Sequence, residues 1–273
     1  MTTTSRPIAM TIAGSDPSGG AGIQADLKTF SALGVYGASI ITALTAQNTM
    51  GVTGVMKVPA AFIRAQYEAV VSDLDVAAAK TGMLGDEETV LTVAELVERS
   101  GLKPLVVDPV MVATSGDVLL EPAAIDAVRK VLIPLAAVIT PNLHEAARLL
   151  ECPVAESEAE ARRQAAALLK LGCQSVLLKG GHGSGVEAVD YLATANNVTV
   201  FSHPRIETKN THGTGCTLAA ALTARLATGV GLVKAAEQAK QYLWDALNSG
   251  AHMKIGRGHG PVDHLFARVP KEE

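Results

Sequence analysis

Aromatic residues are scarce: they supply 3% of this 273-residue chain, while hydrophobic residues as a whole reach 48%. A compact chain of this length buries roughly three quarters of its unfolded surface, so the core must come from small aliphatics, alanine above all. That composition describes helices packed closely on a sheet. Cysteine is sparse too. Cys152, Cys173 and Cys216 are odd in number and far apart, which argues against a disulfide framework and fits a reducing compartment. Apolar runs are broken well before the roughly 18 residues a membrane span requires. The start of the chain, Met1 to Asp16, lacks a small-residue cleavage site, so a cytoplasmic protein is expected. Neither charge sign dominates: 23 basic residues face 27 acidic ones, for a formal charge of -4. With no Lys/Arg run, the electrostatic footprint of a nucleic-acid binder is missing. The expected partners are small molecules, with no nucleic acid and no membrane. The seven histidines show no zinc-ligand spacing. The dipeptide Gly-Lys never occurs, which excludes a Walker A loop, and the protein-kinase signatures H-R-D and D-F-G are absent as well.

What is present is an alternation of short apolar runs with longer segments of helical period, joined by a few Gly, Pro, Asp or Asn residues. Such alternation implies a mainly parallel sheet. Strands are expected at Ile8 to Ala13, Ser39 to Thr45, Val76 to Lys80, Leu105 to Asp108, Val138 to Thr140 and Ser175 to Lys179. Helices are expected at Ile23 to Leu33, Ala60 to Leu74, Glu87 to Ser100, Pro122 to Val131, Glu158 to Leu171, Thr214 to Ala227 and Leu232 to Ser249. Ala188 to Ala193 and Val198 to His203 read as a hairpin joined through Asn196 and Asn197, and Gly51 to Val58 as a short flap. No repeat or long linker interrupts the chain, so residues 1–273 form a single expected domain.

Ligands of open parallel sheets bind beyond the carboxyl ends of the strands, which directs attention to five turns. The first, Gly14 to Gly22, leads from a strand into a helix and contains a match to the dinucleotide fingerprint G-x-G-x-x-G/A at Gly20 to Ala25. A nicotinamide enzyme would need a ribose-binding acid about 20 residues later. After Asp26 the next carboxylate is Glu68, so that class loses its best support. The second turn, Asn210 to Thr217, places Gly213, Thr214, Gly215 and Cys216 at a helix start, where backbone amides favour an anion; a tight turn chosen for its geometry is the other reading. There the helix dipole is expected to lower the Cys216 thiol toward neutrality, whereas Cys152 and Cys173 read as core fillers. Asp108 ends the fourth strand, and Asn142 and Glu145 follow the fifth. Together they are a cluster of hard oxygens suited to magnesium, or else a helix cap with an unrelated acid. The last turn, Lys179-Gly180-Gly181-His182, sets a lysine at the end of a buried strand, where its anion is a nucleotide phosphate or a structural carboxylate.

These residues carry a resemblance. Ala13 to Asp26, Ala46 to Thr49, Lys80 to Leu84, Asp108 to Met111, Thr140 to Leu143, Lys179 to His182, Thr211 to Cys216 and Gly258-His259-Gly260-Pro261 stand in this order over the whole chain. The set resembles the hydroxymethylpyrimidine and hydroxymethylpyrimidine-phosphate kinases of thiamine biosynthesis, within the ribokinase-like superfamily. The resemblance implies a three-layer α/β/α sandwich with a central, mainly parallel sheet. It implies ATP-dependent phosphorylation of the aminopyrimidine alcohol and of its monophosphate, with magnesium. Some members carry a fused thiamine-phosphate synthase, for which 273 residues leave no room. It also implies pyrimidine binding near Gly14, Asp26, Gln47, Met83 and Val110, ATP phosphates near Lys179 and Thr211 to Gly215, metal around Asp108, Asn142 and Glu145, and Cys216 as the base. Relatives are often homodimers. The chemistry is compatible: the Gln47 amide offers a donor and an acceptor in one plane to an aminopyrimidine edge, and Met83 and Val110 offer apolar walls. Asp26 reads equally as a substrate acceptor and as a first-turn helix acid. A pyridoxal or pyridoxine kinase of the same architecture is the nearest alternative.

Overall fold

The computed structural model describes residues 6–112, 116, 119–181 and 185–267. His182 and Met1 to Ser5, which entered the sequence arguments, lie outside the described residues. The alternation of apolar and helical segments resolves into strands β1 (Ile8–Ala13), β2 (Tyr36–Ile41), β3 (Ala43–Asn48), β4 (Gly51–Lys57), β5 (Val76–Thr81), β6 (Leu105–Val107), β7 (Val138–Ile139), β8 (Ser175–Lys179), β9 (Glu187–Thr194) and β10 (Val198–Pro204). The helices are α1 (Gly22–Ala32), α2 (Ala60–Val71), α3 (Glu87–Ser100), α4 (Pro122–Ala127), α5 (Leu143–Leu150), α6 (Glu158–Leu168), α7 (Thr214–Ala227) and α8 (Leu232–Gly250). Among the described residues, no helix is long and apolar enough to cross a membrane.

Eight strands form one sheet in the order β10-β9-β8-β7-β6-β5-β1-β2, parallel from β2 through β8 and antiparallel in the β8-β9-β10 meander. Alternate residues of the central strands point to opposite faces. Met10, Ile12, Leu105, Val107, Val176 and Leu178 pack under α2 to α6, while Val106, Val138, Leu177 and Leu192 pack under α7 and α8. Ala9 meets α1 and α7 through Phe30, Ala220 and Ala224. The second layer is held so closely because α7 presents alanines at 219, 220, 221 and 224, all fully buried. This is the three-layer sandwich that the resemblance implies, with the close packing of helices on a sheet expected from the scarcity of aromatics.

Three expectations change. The single strand Ser39 to Thr45 is in fact the end of β2 and the start of β3, because the chain leaves the main sheet at Thr42. There the Thr42 amide donates to the Ala13 carbonyl at 3.0 Å and its hydroxyl to the Met83 carbonyl at 2.8 Å. The flap at Gly51 to Val58 is β4, which pairs antiparallel with β3 as a separate two-stranded ribbon. The helix expected at Pro122 to Val131 widens to a π-turn over Val128–Leu132 and closes with a 3-10 turn at Ile133–Leu135.

Candidate active site

The strand order reverses direction between β1 and β5, and in parallel sheets the carboxyl ends beside such a reversal open a crevice. Here a cavity of about 1020 Å³ lies over those ends. Residues immediately beyond five strands line it: Gly14 after β1, Gly82 and Met83 after β5, Asp108 and Val110 after β6, Asn142 and Glu145 after β7, and Lys179 closing β8. Gln47 enters from the ribbon, and Thr211, Gly213, Thr214, Gly215 and Cys216 from the start of α7. All residues singled out from the sequence therefore border one space, with the exception of Asp26.

Asp26 requires a correction. Its side chain is fully buried and absent from the lining of the cavity, away from the open space in which a substrate acceptor is expected. Instead its carboxylate receives the Thr11 hydroxyl at 2.6 Å and the ammonium of Lys80, also fully buried, at 2.8 Å. Burial pushes the Asp26 carboxyl up against the pull of Lys80, while for Lys80 burial alone would push the ammonium down and Asp26, Cys216 and Asp108 together outweigh it. Lys80 was missed as a site candidate. Its signal was the one that marked Lys179, a lysine within an otherwise apolar strand.

The metal set is corrected in part. Asn142 and Glu145 close a reciprocal capping box on α5: Glu145 N donates to Asn142 Oδ1 at 2.9 Å, and Asn142 N donates to Glu145 Oε2 at 2.8 Å. The Asn142 oxygen is thus spent on the helix. Asp108 Oδ1 accepts from the Thr140 hydroxyl and the Lys179 ammonium, both at 2.9 Å, while its Oδ2 is buried without a partner. Lys179 also lies 3.9 Å from Glu145. Burial, with Asp108 adding to it, pushes Glu145 up to about 7 against the attraction of Lys179. Burial alone would push Lys179 down; Asp108 and Glu145 outweigh it and hold the ammonium above its ordinary range. Among the described residues, no three His, Cys, Asp or Glu side chains group as a metal cage.

At the start of α7, Gly213 is left-handed (φ 78°), and a Cβ there would fall 1.8 Å from the Gly20 carbonyl oxygen. Only glycine lets the two glycine-rich turns touch. Helix geometry leaves the first-turn amides of Gly215 and Cys216 without intrahelical acceptors, and both residues face the cavity. The Cys216 thiol departs from expectation: it is pushed up to about 11, first by burial and then by the carboxylates of Asp26 and Asp108, against Lys80 and the Gly22 amide. Tertiary surroundings override the helix dipole here. Behind the loop, Asp16 and His212, both in the lining, pair at 2.8 Å, and the Asp16 carboxylate also accepts from Gly20 N, Ala21 N and Ser18.

A helix-start turn with free amides, a lysine-carboxylate cluster, the Gln47 amide and the apolar Met83 and Val110 border one crevice beyond the strand ends, an arrangement of the small-molecule kinases of the ribokinase-like class. The profile of the phosphomethylpyrimidine kinase family matches residues 16–263. The chain is 55% identical over 258 residues to the hydroxymethylpyrimidine/phosphomethylpyrimidine kinase of Rhizobium meliloti, an alignment covering 94% of this chain and 97% of that protein. Among solved structures, the phosphomethylpyrimidine kinase of Clostridium difficile matches at TM-score 0.79 and 44% identity, over 89% of this chain and 100% of that one. The ADP complex of Bacillus subtilis pyridoxal kinase matches at TM-score 0.89 and 36% identity, over 97% and 99% of the two chains. This chain belongs to the phosphomethylpyrimidine kinase family.

Proposed function

We propose that this kinase transfers the terminal phosphoryl group of ATP to the hydroxymethyl oxygen of 4-amino-5-hydroxymethyl-2-methylpyrimidine, and then to the monophosphate to give the diphosphate. The observation that carries the reading is that Gln47, Met83 and Val110 border the same cavity as Lys179 and the Gly213–Cys216 turn. The Gln47 amide pairs with the aminopyrimidine edge, and Met83 and Val110 enclose the ring. Lys179 and the Thr211 and Thr214 region hold the triphosphate, while the amides of Gly213, Gly215 and Cys216 meet the charge that develops on the transferred group. Positioning does most of the work in such a reaction.

Magnesium fits the residues in a limited way. The orphaned Asp108 Oδ2 and the Glu145 carboxylate would hold it, and a hard cation that keeps most of its waters needs no more than one or two carboxylates beside phosphate. When bound, it supplies charge neutralisation on the phosphate oxygens. Cys216 accepts the alcohol proton, which from a thiol pushed up to about 11 requires ionisation against its surroundings. The reading includes a homodimer through the ribbon, where the cross-strand partners Leu44 and Met56 are 40% and 62% exposed. Sedimentation of Leu44→Glu/Met56→Glu tests it: a monomer is expected, and an unchanged dimer would move the interface elsewhere.

The experiment that tests the activity is ADP release with the pyrimidine alcohol, its monophosphate and pyridoxal side by side. The pyridoxal arm is included because the scaffold matches a pyridoxal kinase over 97% of this chain. The pyrimidine substrates should exceed pyridoxal in kcat/KM by more than about 100-fold, beyond what the shape of an apolar pocket discriminates. Preference for pyridoxal would overturn the reading.

A further inference from the structure

The motif Gly258-His259-Gly260-Pro261 contributes nothing to the mechanism above, and its place in the fold accounts for it. Thr49 sits at the tip of the ribbon, between β3 and β4. Its hydroxyl accepts from Arg257 N at 3.2 Å and Gly258 N at 3.1 Å, and its carbonyl accepts from His259 N at 2.9 Å. A Cβ on Gly258 would lie 2.0 Å from that carbonyl oxygen, so the strap is seated directly on the tip. Further along the strap, the Gly260 carbonyl accepts from His212 N at 3.0 Å, and His212 and Pro261 form a parallel bridge. His212 holds Asp16 at 2.8 Å, and Asp16 gathers the amides of the first glycine-rich turn. That turn returns to the ribbon: Ser15 N donates to the Ala43 carbonyl at 2.9 Å, and the Thr45 hydroxyl donates to the Ser15 carbonyl at 2.8 Å. The polar contacts form a closed circuit through ribbon, strap, phosphate turn and first turn.

We propose that Thr49, which does not line the cavity, is a positioning residue for both substrates, coupling the ribbon that carries Gln47 to the turn that carries Thr211–Cys216 through the Arg257–Pro261 strap. The proposal rests on the reading that Gln47 faces the heterocycle and the turn faces the nucleotide. The rest of the strap region has its own anchors. Asn210 Nδ2 donates to the carbonyls of Gly250 and Met253, and Asp263 N donates to Ala246. Loss of the Thr49 hydroxyl therefore removes two of the three hydrogen bonds that tie the strap to the ribbon tip, leaving the bond from His259 N to the Thr49 carbonyl, and does not unmoor the C-terminal segment. The phosphate turn then loses the support that reaches it through Gly260.

The test titrates AMP-PCP into enzyme without pyrimidine, read from the fluorescence of the single tryptophan, Trp244, which lines the cavity. Thr49→Val removes two hydrogen bonds and keeps the shape of the side chain; nucleotide affinity should fall about tenfold. Thr49→Ser should restore it. Gln47→Ala, on the same ribbon, should raise KM for the pyrimidine and leave AMP-PCP affinity unchanged. If Gln47→Ala leaves the pyrimidine KM unaltered, the substrate assignment fails while the Thr49 result stands by itself. Wild-type AMP-PCP affinity in Thr49→Val would overturn the coupling. Should that variant not fold, amide exchange of the wild-type protein decides: AMP-PCP alone must slow exchange at Gly258 and His259, and unchanged exchange there refutes the proposal.

Discussion

Cys216 is where the site's electrostatics can be read most directly in kinetics. A thiol at about 11 is about 10⁻⁴ ionised at pH 7, against about 3% for an ordinary thiol near 8.5. Forming the thiolate at pH 7 then costs about 5 kcal/mol. If Cys216 takes the alcohol proton, kcat/KM, which reports the ionisation of the free enzyme, should climb about tenfold per pH unit from pH 6.5 to 9 without a plateau. Cys216→Ala should remove that slope. Reaction with a small disulfide gives an independent measure. The 300-fold deficit in thiolate is offset about tenfold by the greater nucleophilicity of a more basic thiolate, leaving a rate roughly 30-fold below that of an ordinary thiol. Cys152→Ser enzyme is the proper substrate for that measurement, because Cys152 is partly exposed. An inflection near pH 7 that disappears in Cys216→Ala would show that the helix end prevails over burial. A slope that survives in Cys216→Ala would remove the base role altogether.

His264 is buried and held down to about 4, by burial first and then by Lys28 and His212. The unfolded chain protonates this group below about 6.5 while the fold does not. The stability is therefore complete above 6.5, and about 2 kcal/mol of it should be lost by pH 5; urea midpoints at pH 7 and 5 measure this, and His264→Gln should flatten the difference. Asn142→Ala breaks the capping box and should cost about 1 kcal/mol in melting experiments while leaving the magnesium requirement unchanged. Glu145→Gln should raise the magnesium concentration for half-maximal activity, and an unchanged requirement would remove Glu145 from the metal role. Gly213→Ala forces a left-handed residue against the Gly20 carbonyl and should lower kcat/KM by about 100-fold or more, with far-ultraviolet dichroism retained.

Periodicity revealed most of the layers because each helix and strand carries its own face in its own residues. It failed where the chain changes partners without changing composition. Ser39 to Thr45 is, but for Leu44, made of small and β-branched residues, so nothing local marks Thr42 as the place where the chain leaves one sheet for another. The candidate site shows the same division. Gly14, Met83, Asp108 and Lys179 were legible because each follows or ends a strand, and parallel topology gathers such positions at one edge. Asp26 was not, since its partner Lys80 lies 54 residues away on β5 and only the packing of α1 on the sheet brings them together. For Asn142 and Glu145 both readings were available from the spacing, and both hold in part: the Asn142 oxygen caps α5, while the Glu145 carboxylate both closes the capping box and faces the cavity. The Cys216 thiol was misjudged because a helix-end rule is local, whereas the burial that chiefly opposes it, and the acids of α1 and the end of β6 that add to it, come from the tertiary fold.

The Asp26–Lys80 pair raises the question of why this chain buries two charges in its floor. A buried ion pair contributes little to stability compared with apolar groups of the same volume, because desolvation consumes most of the attraction. Stability is therefore a weak explanation. Its position offers a better one: Lys80 Nζ would lie 3.3 Å from a Cβ on Gly82, a residue of the cavity lining, and its charge opposes the burial that raises the Cys216 thiol. Asp26 holds that ammonium in place and at the same time moderates its effect, since the two act on Cys216 with opposite signs. An apolar pair in the same volume would leave the thiol facing Asp108 with no positive charge from the floor. The pair thus places a fixed cation beneath the reacting centre without opening the floor to water, which a lone buried lysine would not tolerate and a solvated one would not provide.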